Sequence, residues 1–154
     1  MLIFSTKINV CFNVVHILFL IFSNMKTNII IISDDLLFGK IIIPLLNLNI
    51  DHLEIDVCTS VQEITTKLDK ECCDLVLVDG GMTNMSSLEV IQFLRLKKNV
   101  VKPIWFFPEI QTQPYLYKAY EMGANRIINK PFDPYWVVNE IALLIDKQFY
   151  KPAV

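Results

Sequence analysis

Short runs of apolar residues alternate along this chain with longer stretches in which apolar residues recur at every third or fourth position. The short runs are rich in β-branched and aromatic residues, which is typical of buried strands, whereas the longer stretches have the period of a helix with one apolar face. Five such strand–helix units follow one another from Asn28 onwards. The pattern therefore predicts an α/β fold, with a five-stranded parallel sheet and helices on both of its faces.

The five runs predict strands at Asn28–Ile32, His52–Cys58, Leu75–Val78, Ile104–Phe107 and Arg126–Ile128. Helices are predicted over Leu36–Asn49, around Val61–Leu68, around Leu88–Leu94, around Leu116–Tyr120 and over Pro134–Gln148.

Several residues mark the expected ends of these helices. Pro44 removes a backbone donor, so we expect the first helix to kink or to end early there. Ser60 and Glu63 predict a capping box for the second helix, and either Ser86 or Ser87 is available to cap the third. Gly123 predicts the C-terminal cap of the fourth helix.

The composition limits the chain to one domain and disfavours some partners. A length of 154 residues with 53% hydrophobic content suits a single compact core. A net charge of -2 provides no basic surface for a phosphate backbone, so direct nucleic-acid binding is not expected. The four cysteines have no disulfide-like or zinc-like spacing and predict reduced packing residues in a cytoplasmic protein: Cys11, Cys58, Cys72 and Cys73.

The first 24 residues form a separate hydrophobic extension, with an apolar run from Ile8 to Phe22. The run is short for a membrane crossing, and no typical cleavage site follows it. Four interpretations stay open: a start-site artefact, a membrane anchor that would tether the protein, a packed extra helix, and an export signal. The main domain is expected over residues 25–148, followed by a short tail, 149–154.

Charged residues stand where three of the predicted strands end. Asp34 and Asp35 follow the first strand, Asp79 follows the third in the segment LVLVDGGM, and Lys130 follows the fifth. The carboxyl ends of parallel strands line a common crevice, so these groups converge if the first and third strands are neighbours. Clustered carboxylates favour a hard cation such as Mg²⁺ or Mn²⁺, and Gly80 and Gly81 are expected to leave space for a phosphoryl group. Alternatively, each aspartate by itself is a turn former or helix cap.

The ordered segments IIIISDD, DLVLVDGGMTNMSSLEVIQFLR, KPIWFF and YEMGANRIINKPFDP resemble the receiver domain of two-component response regulators. The resemblance covers about residues 26–148 and implies a flavodoxin-like (βα)5 receiver fold of the CheY-like type. It implies that Asp79 is the phosphoacceptor, that Lys130 assists catalysis, and that Lys130-Pro131 is a cis peptide bond. It also implies a metal site formed by Asp34, Asp35, Asp79 and Gly81.

The same resemblance implies a role in a phosphorelay. A sensor histidine kinase or a phosphotransfer protein would supply the phosphoryl group, and the receiver itself would catalyse the transfer, with no separate enzyme activity. Output would pass through contacts of the fourth helix, fifth strand and fifth helix with a downstream protein, and a homodimer is possible. Aromatic residues are candidate anchors of that surface: Tyr115, Tyr117, Tyr135 and Trp136. Trp105 is predicted to be a core residue instead.

Three of the departures from the family pattern bear on the metal site and the switch. Ser33 replaces one of the paired acids, Pro108 replaces the hydroxyl residue after the fourth strand, and Ile127 replaces an aromatic residue of the fifth strand. An alternative function follows from these departures, a phosphorylation-independent module for protein interaction. A flavodoxin-like cofactor binder is disfavoured because no phosphate-binding loop follows the first strand.

Overall fold

The computed structural model describes residues 26–70 and 72–149. Five strands alternate with five helices, which we number in chain order: β1 (Thr27–Ile32), α1 (Leu36–Asn49), β2 (Leu53–Cys58), α2 (Val61–Lys70), β3 (Leu75–Asp79), α3 (Ser87–Leu96), β4 (Ile104–Phe107), α4 (Gln113–Glu121), β5 (Arg126–Ile127) and α5 (Pro134–Phe149). The predicted order and number of elements are confirmed within this part of the chain. The predicted bounds of the strands, of α1 and of α5 differ from these by one residue at most, and those of the other three helices by up to three.

The five strands form one parallel sheet in the order β2-β1-β3-β4-β5. β1 and β3 are therefore neighbours, as the convergence of their terminal residues requires. Ile32 lies opposite Val78 in the register of these two strands. Both strands therefore end at the same edge of the sheet, where Ser33 lies next to Asp79.

Apolar side chains cover both faces of the sheet. On one face, alternate residues of β1 and β3 pack with α2, α3 and α4; Ile30, Ile32, Val76 and Val78 belong to this layer. On the other face, Ile29, Ile31, Leu75 and Leu77 pack with α1 and α5. All of these strand residues are buried, which explains why the runs are apolar throughout rather than alternating with polar residues. Trp105 is also buried, as predicted.

The helix α1 continues through Pro44 and ends at Asn49, so the prediction of an early end is wrong. A proline inside a helix costs about 3 kcal/mol. Three buried side chains, Phe38, Ile42 and Leu46, hold α1 against the sheet on both sides of that proline. Burial of such side chains contributes about 1.5–3 kcal/mol each, which exceeds the cost.

The helix caps agree only in part with the predicted ones. Ser60 Oγ accepts a hydrogen bond from the Glu63 N–H at 3.3 Å, but the Glu63 carboxylate reaches back to Thr59 rather than to Ser60. Ser86 takes the cap position of α3 without a side-chain hydrogen bond. Gly123 follows the end of α4 with φ of +112°, the left-handed conformation expected of a C-terminal glycine.

Within the described residues, no helix is long and apolar enough to cross a membrane. The hydrophobic extension, residues 1–24, and Cys11 lie outside the described residues, and so does most of the predicted tail. Cys58, Cys72 and Cys73 are free thiols, as predicted. Cys58 and Cys73 are buried, whereas Cys72 is exposed and is therefore not the packing residue that was expected.

Candidate functional site

Asp79 is the last residue of the central strand β3, and its side chain is 0% exposed. Its two carboxylate oxygens have different partners. Oδ1 accepts hydrogen bonds from Lys130 Nζ at 2.7 Å and from the Gly81 N–H at 3.2 Å, while Oδ2 accepts one from Ser33 Oγ at 2.7 Å. A buried carboxylate is stable only when it is paired and hydrogen-bonded, and these three donors meet that requirement.

Ser33 reaches Asp79 because β1 and β3 are adjacent and in register. Its hydroxyl donates to Asp79 and accepts a hydrogen bond from the Asp35 N–H at 3.0 Å. This neutral side chain is buried at a position where the family often has an acid. The substitution removes one negative charge from the immediate surroundings of Asp79.

Lys130 lies in the loop after β5, and the following Lys130-Pro131 peptide bond is cis, as predicted. Its ammonium contacts two carboxylates, Asp79 at 2.7 Å and Glu109 at 2.6 Å. Burial by itself lowers the pKa of Lys130, but the hydrogen bonds and the attraction to Asp79 and Glu109 outweigh burial and raise the pKa above its usual value. The side chain therefore carries a positive charge at physiological pH.

The two acids that follow β1 have separate partners. The Asp34 carboxylate accepts hydrogen bonds from the N–H and the hydroxyl of Thr83, at 2.8 and 2.7 Å. These bonds lower the pKa of Asp34, against a smaller opposing effect of burial. Asp35 caps α1, because its carboxylate accepts a hydrogen bond from the Leu37 N–H at 2.8 Å. The Asp34 carboxylate therefore faces the loop after β3, while the Asp35 carboxylate is hydrogen-bonded to the first turn of α1.

The oxygen donors at this edge suit a hard divalent cation in kind. Mg²⁺ is typically held by one or two carboxylates together with water, and Asp34 and Asp79 are two carboxylates on adjacent strand ends. In the described residues, no group of three or more His, Cys, Asp or Glu side chains is placed to hold a metal ion. The donor set thus fits a site with two carboxylates, and Asp34 would have to exchange Thr83 for the metal.

The paired glycines after Asp79 have a different explanation from the one predicted. A Cβ atom on Gly80 would lie 2.7 Å from the main-chain atoms of Phe107, Pro108 and Glu109. A Cβ atom on Gly81 would lie 2.9 Å from Glu109 Oε1. The main chain of the loop after β4 therefore packs directly on Gly80, and the Glu109 side chain of that loop lies over Gly81.

Glu109 is the site residue that the sequence reasoning missed. It directly follows Pro108 at the end of β4, and Lys130 donates to its carboxylate. The available signal was its position, because the end of β4 lies next to Asp79 at the edge that carries the other charged residues. Only the loop conformation brings its half-exposed side chain into contact with Lys130.

Two of the positions that depart from the family pattern, Pro108 and Ile127, have no hydroxyl to offer Asp79. Pro108 is buried, and Ile127 on β5 packs against the core layer that contains α3 and α4. Of the predicted surface aromatics, Tyr117, Tyr135 and Trp136 are exposed. Tyr115 is partly buried against Phe106, with ring centroids 6.2 Å apart, so its assignment to the exposed surface is wrong.

Comparison with known proteins gives consistent matches. A family model described as the response regulator receiver domain matches residues 29–142 of the chain. The transcriptional regulatory protein CrdR of Helicobacter pylori is 27% identical over 111 residues, which are 71% of this chain and 50% of that protein. This chain therefore spans about half the length of that curated relative.

Solved structures show the same fold. A CheY-like response regulator receiver domain protein from Methanospirillum hungatei has a TM-score of 0.70 at 19% identity, covering 81% of this chain and 98% of that one. HP1043, an orphan response regulator of Helicobacter pylori, has a TM-score of 0.64 at 21% identity, covering 77% of this chain and 96% of that one. At these identities the likeness concerns the fold alone.

Proposed function

Because the chain belongs to the response regulator receiver domain family of two-component signalling, we propose that Asp79 accepts a phosphoryl group from a sensor histidine kinase, a phosphotransfer protein or a small phosphodonor. One observation carries the proposal: a fully buried carboxylate at the end of the central strand lies 2.7 Å from a lysine ammonium. Such a carboxylate is a nucleophile held in one orientation beside a fixed positive charge.

The transfer is an in-line displacement at phosphorus. A carboxylate oxygen of Asp79 forms the new bond to phosphorus, and the bond between phosphorus and the donor's leaving group breaks, so that its electron pair departs with the leaving group. Ser33 and the Gly81 N–H orient the carboxylate. Lys130 neutralises negative charge that is shared between Asp79 and the phosphoryl oxygens.

Receiver domains of this family generally bind Mg²⁺ at their acidic site. In this chain we assign the metal to Asp34, Asp79 and the main-chain carbonyl of Gly81. Asp35 is the weaker candidate because it caps α1. A bound divalent cation would supply charge neutralisation at the phosphoryl oxygens.

Receiver domains interact with kinases or phosphotransfer proteins and with downstream partners. For this chain we propose that output passes through the surface of α4, β5 and α5. Tyr117, Tyr135 and Trp136 are exposed there, and aromatic residues are frequent anchors of protein interfaces. No hydroxyl at position 108 and no aromatic ring at position 127 are available to link the phosphoryl group to that surface in the usual way.

A second candidate function is an interaction module that works without phosphorylation. The observation that favours it is the same pair of positions, Pro108 and Ile127, together with the neutral Ser33 beside Asp79. Under this alternative, the surface of α4, β5 and α5 binds its partner in one fixed conformation.

The deciding experiment incubates the full chain with Mg²⁺ and acetyl phosphate, with Asp79→Asn as the control. Intact mass spectrometry reports the covalent product, and amide NMR shifts report the response of the domain. We expect a labile gain of one phosphoryl group in the wild-type chain only, with shifts that extend to α4. Absence of both the mass gain and any Mg²⁺-dependent shift would instead support the phosphorylation-independent module.

A further inference from the structure

Building on the phosphoacceptor function proposed above, we propose that Glu109 is an internal competitor for the incoming phosphoryl group. Its carboxylate occupies the ammonium of Lys130 and covers the main chain beside Asp79. Transfer to Asp79 therefore requires the Glu109 side chain to move away first, and Glu109 limits the rate at which the domain is phosphorylated.

The contact with Lys130 is the first support. An ammonium group has three donors and no acceptor. Here one donor is directed to Asp79 Oδ1 at 2.7 Å and a second to Glu109 Oε1 at 2.6 Å. A phosphoryl oxygen that approaches Lys130 meets an ammonium that is already shared between two carboxylates.

The position of the Glu109 side chain above Gly81 is an independent support. A Cβ atom built on Gly81 would lie 2.9 Å from Glu109 Oε1 and 3.4 Å from Cγ and Cδ, so the whole end of the side chain lies over this residue. The Gly81 N–H donates to the same Asp79 oxygen that Lys130 contacts. The Glu109 carboxylate therefore lies close to the entrance through which a donor would reach Asp79.

Burial indicates which part of this arrangement can move. Asp79 is 0% exposed and Lys130 is 22% exposed, whereas Glu109 is 53% exposed. The main chain at Glu109 is held, because its nitrogen would lie 2.7 Å from a Cβ on Gly80. The half-exposed side chain is free to rotate into solvent, and this rotation is the step that frees Lys130.

The charge balance determines the direction of the effect. Asp79 and Glu109 carry two negative charges against the single positive charge of Lys130, and the phosphodonor is an anion. Neutralising Glu109 removes repulsion and releases one donor of Lys130. For a partly exposed charge, we expect this to raise the phosphorylation rate by about three- to tenfold.

The test measures phosphorylation rates of full-length variants with acetyl phosphate and Mg²⁺ by intact mass. Glu109→Gln removes the charge and keeps the shape, and Glu109→Ala removes both. Glu121→Gln is the matched control, because it removes one exposed negative charge at the end of α4. We expect both Glu109 variants to react faster than the wild type, and the control to react at the wild-type rate. Equal rates in all four proteins would overturn the proposal.

A second measurement separates this proposal from the phosphoacceptor function. Inorganic phosphate is titrated into wild type and Glu109→Gln while the amide resonances of Lys130 and Phe132 are followed by NMR. We expect Glu109→Gln to bind phosphate at several-fold lower concentration. If the wild type or any variant is phosphorylated, the phosphorylation rates test the role of Glu109. If no variant is phosphorylated, the phosphoacceptor function fails, and the titration decides: tighter binding supports the competition at Lys130, and unchanged binding overturns it.

Discussion

At the residue scale, the main feature of the site is the set of hydrogen-bond partners around one buried carboxylate. Asp79 is surrounded by one cation and one neutral hydroxyl, Lys130 and Ser33. The hydroxyl supplies a hydrogen bond without adding a like charge at close range. The buried carboxylate therefore has hydrogen-bond donors on both oxygens, and a second carboxylate at position 33 would add repulsion beside it.

Replacing Ser33 by aspartate tests this charge balance. Ser33→Asp places a second carboxylate beside Asp79, so we expect a loss of about 1–3 kcal/mol in the free energy of unfolding without metal. Mg²⁺ should restore more stability in this variant than in the wild type, because the added ligand strengthens the site. Urea unfolding with and without Mg²⁺ measures both effects.

Ser33→Ala is the control for that comparison. It loses the hydrogen bond to Asp79, which costs about 1 kcal/mol, but it adds no metal ligand. An equal response of the two variants to Mg²⁺ would argue against Ser33 as a position that tunes metal affinity.

At the element scale, the loop after β4 is fixed by its packing on the loop after β3. Gly80 donates its N–H to the Phe107 carbonyl at 2.8 Å, and no side chain fits between the two segments. This contact holds Glu109 near Lys130. The pair of glycines after Asp79 thus sets the position of a neighbouring loop.

Two glycine substitutions should have opposite effects on stability. Gly80→Ala forces a Cβ into backbone atoms at 2.7 Å, so we expect a destabilisation of about 1–3 kcal/mol. Gly39→Ala lies inside α1, where the new Cβ meets only Ile43 Cδ1 at 3.6 Å, and it should stabilise by about 0.5–1 kcal/mol. Thermal and urea unfolding of the two variants measure the difference, and a stable Gly80→Ala protein would refute the packing argument.

At the scale of the whole molecule, two apolar layers enclose the sheet, and all the charged site residues lie at one edge of it. The layer against α2, α3 and α4 includes two cysteines, Cys58 and Cys73. Burial raises the pKa of the Cys58 thiol to about 11, and it raises the pKa of Cys73 as well. Cys72, by contrast, is exposed.

Cysteine alkylation should therefore report the opening of this layer. At about pH 8, a raised pKa leaves a smaller thiolate fraction, and the thiolate is the reactive form. We expect iodoacetamide to label Cys72 rapidly in the native protein, while Cys58 reacts only when urea unfolds the domain. Peptide mass mapping identifies the labelled sites. Native labelling of Cys58 at the rate of Cys72 would show that this layer opens without unfolding.

The sequence alone predicted the order of the elements, the parallel sheet and the placement of Asp34, Asp79 and Lys130 at strand ends. It could do so because buried strands and amphipathic helices have distinct periods, and because parallel strands end at a common edge. Of the two outcomes predicted at Pro44, the early end of α1 does not occur, because tertiary burial of the helix outweighs the local cost of the proline.

Only the tertiary structure decided how the charges at that edge are paired. Side-chain contacts between distant loops depend on strand register and loop packing, which no local period encodes. Register brings Ser33 to Asp79, and packing on Gly80 and Gly81 brings Glu109 to Lys130. The sequence by itself thus determined the fold and where the chemistry lies, while the three-dimensional arrangement determined which groups surround Asp79.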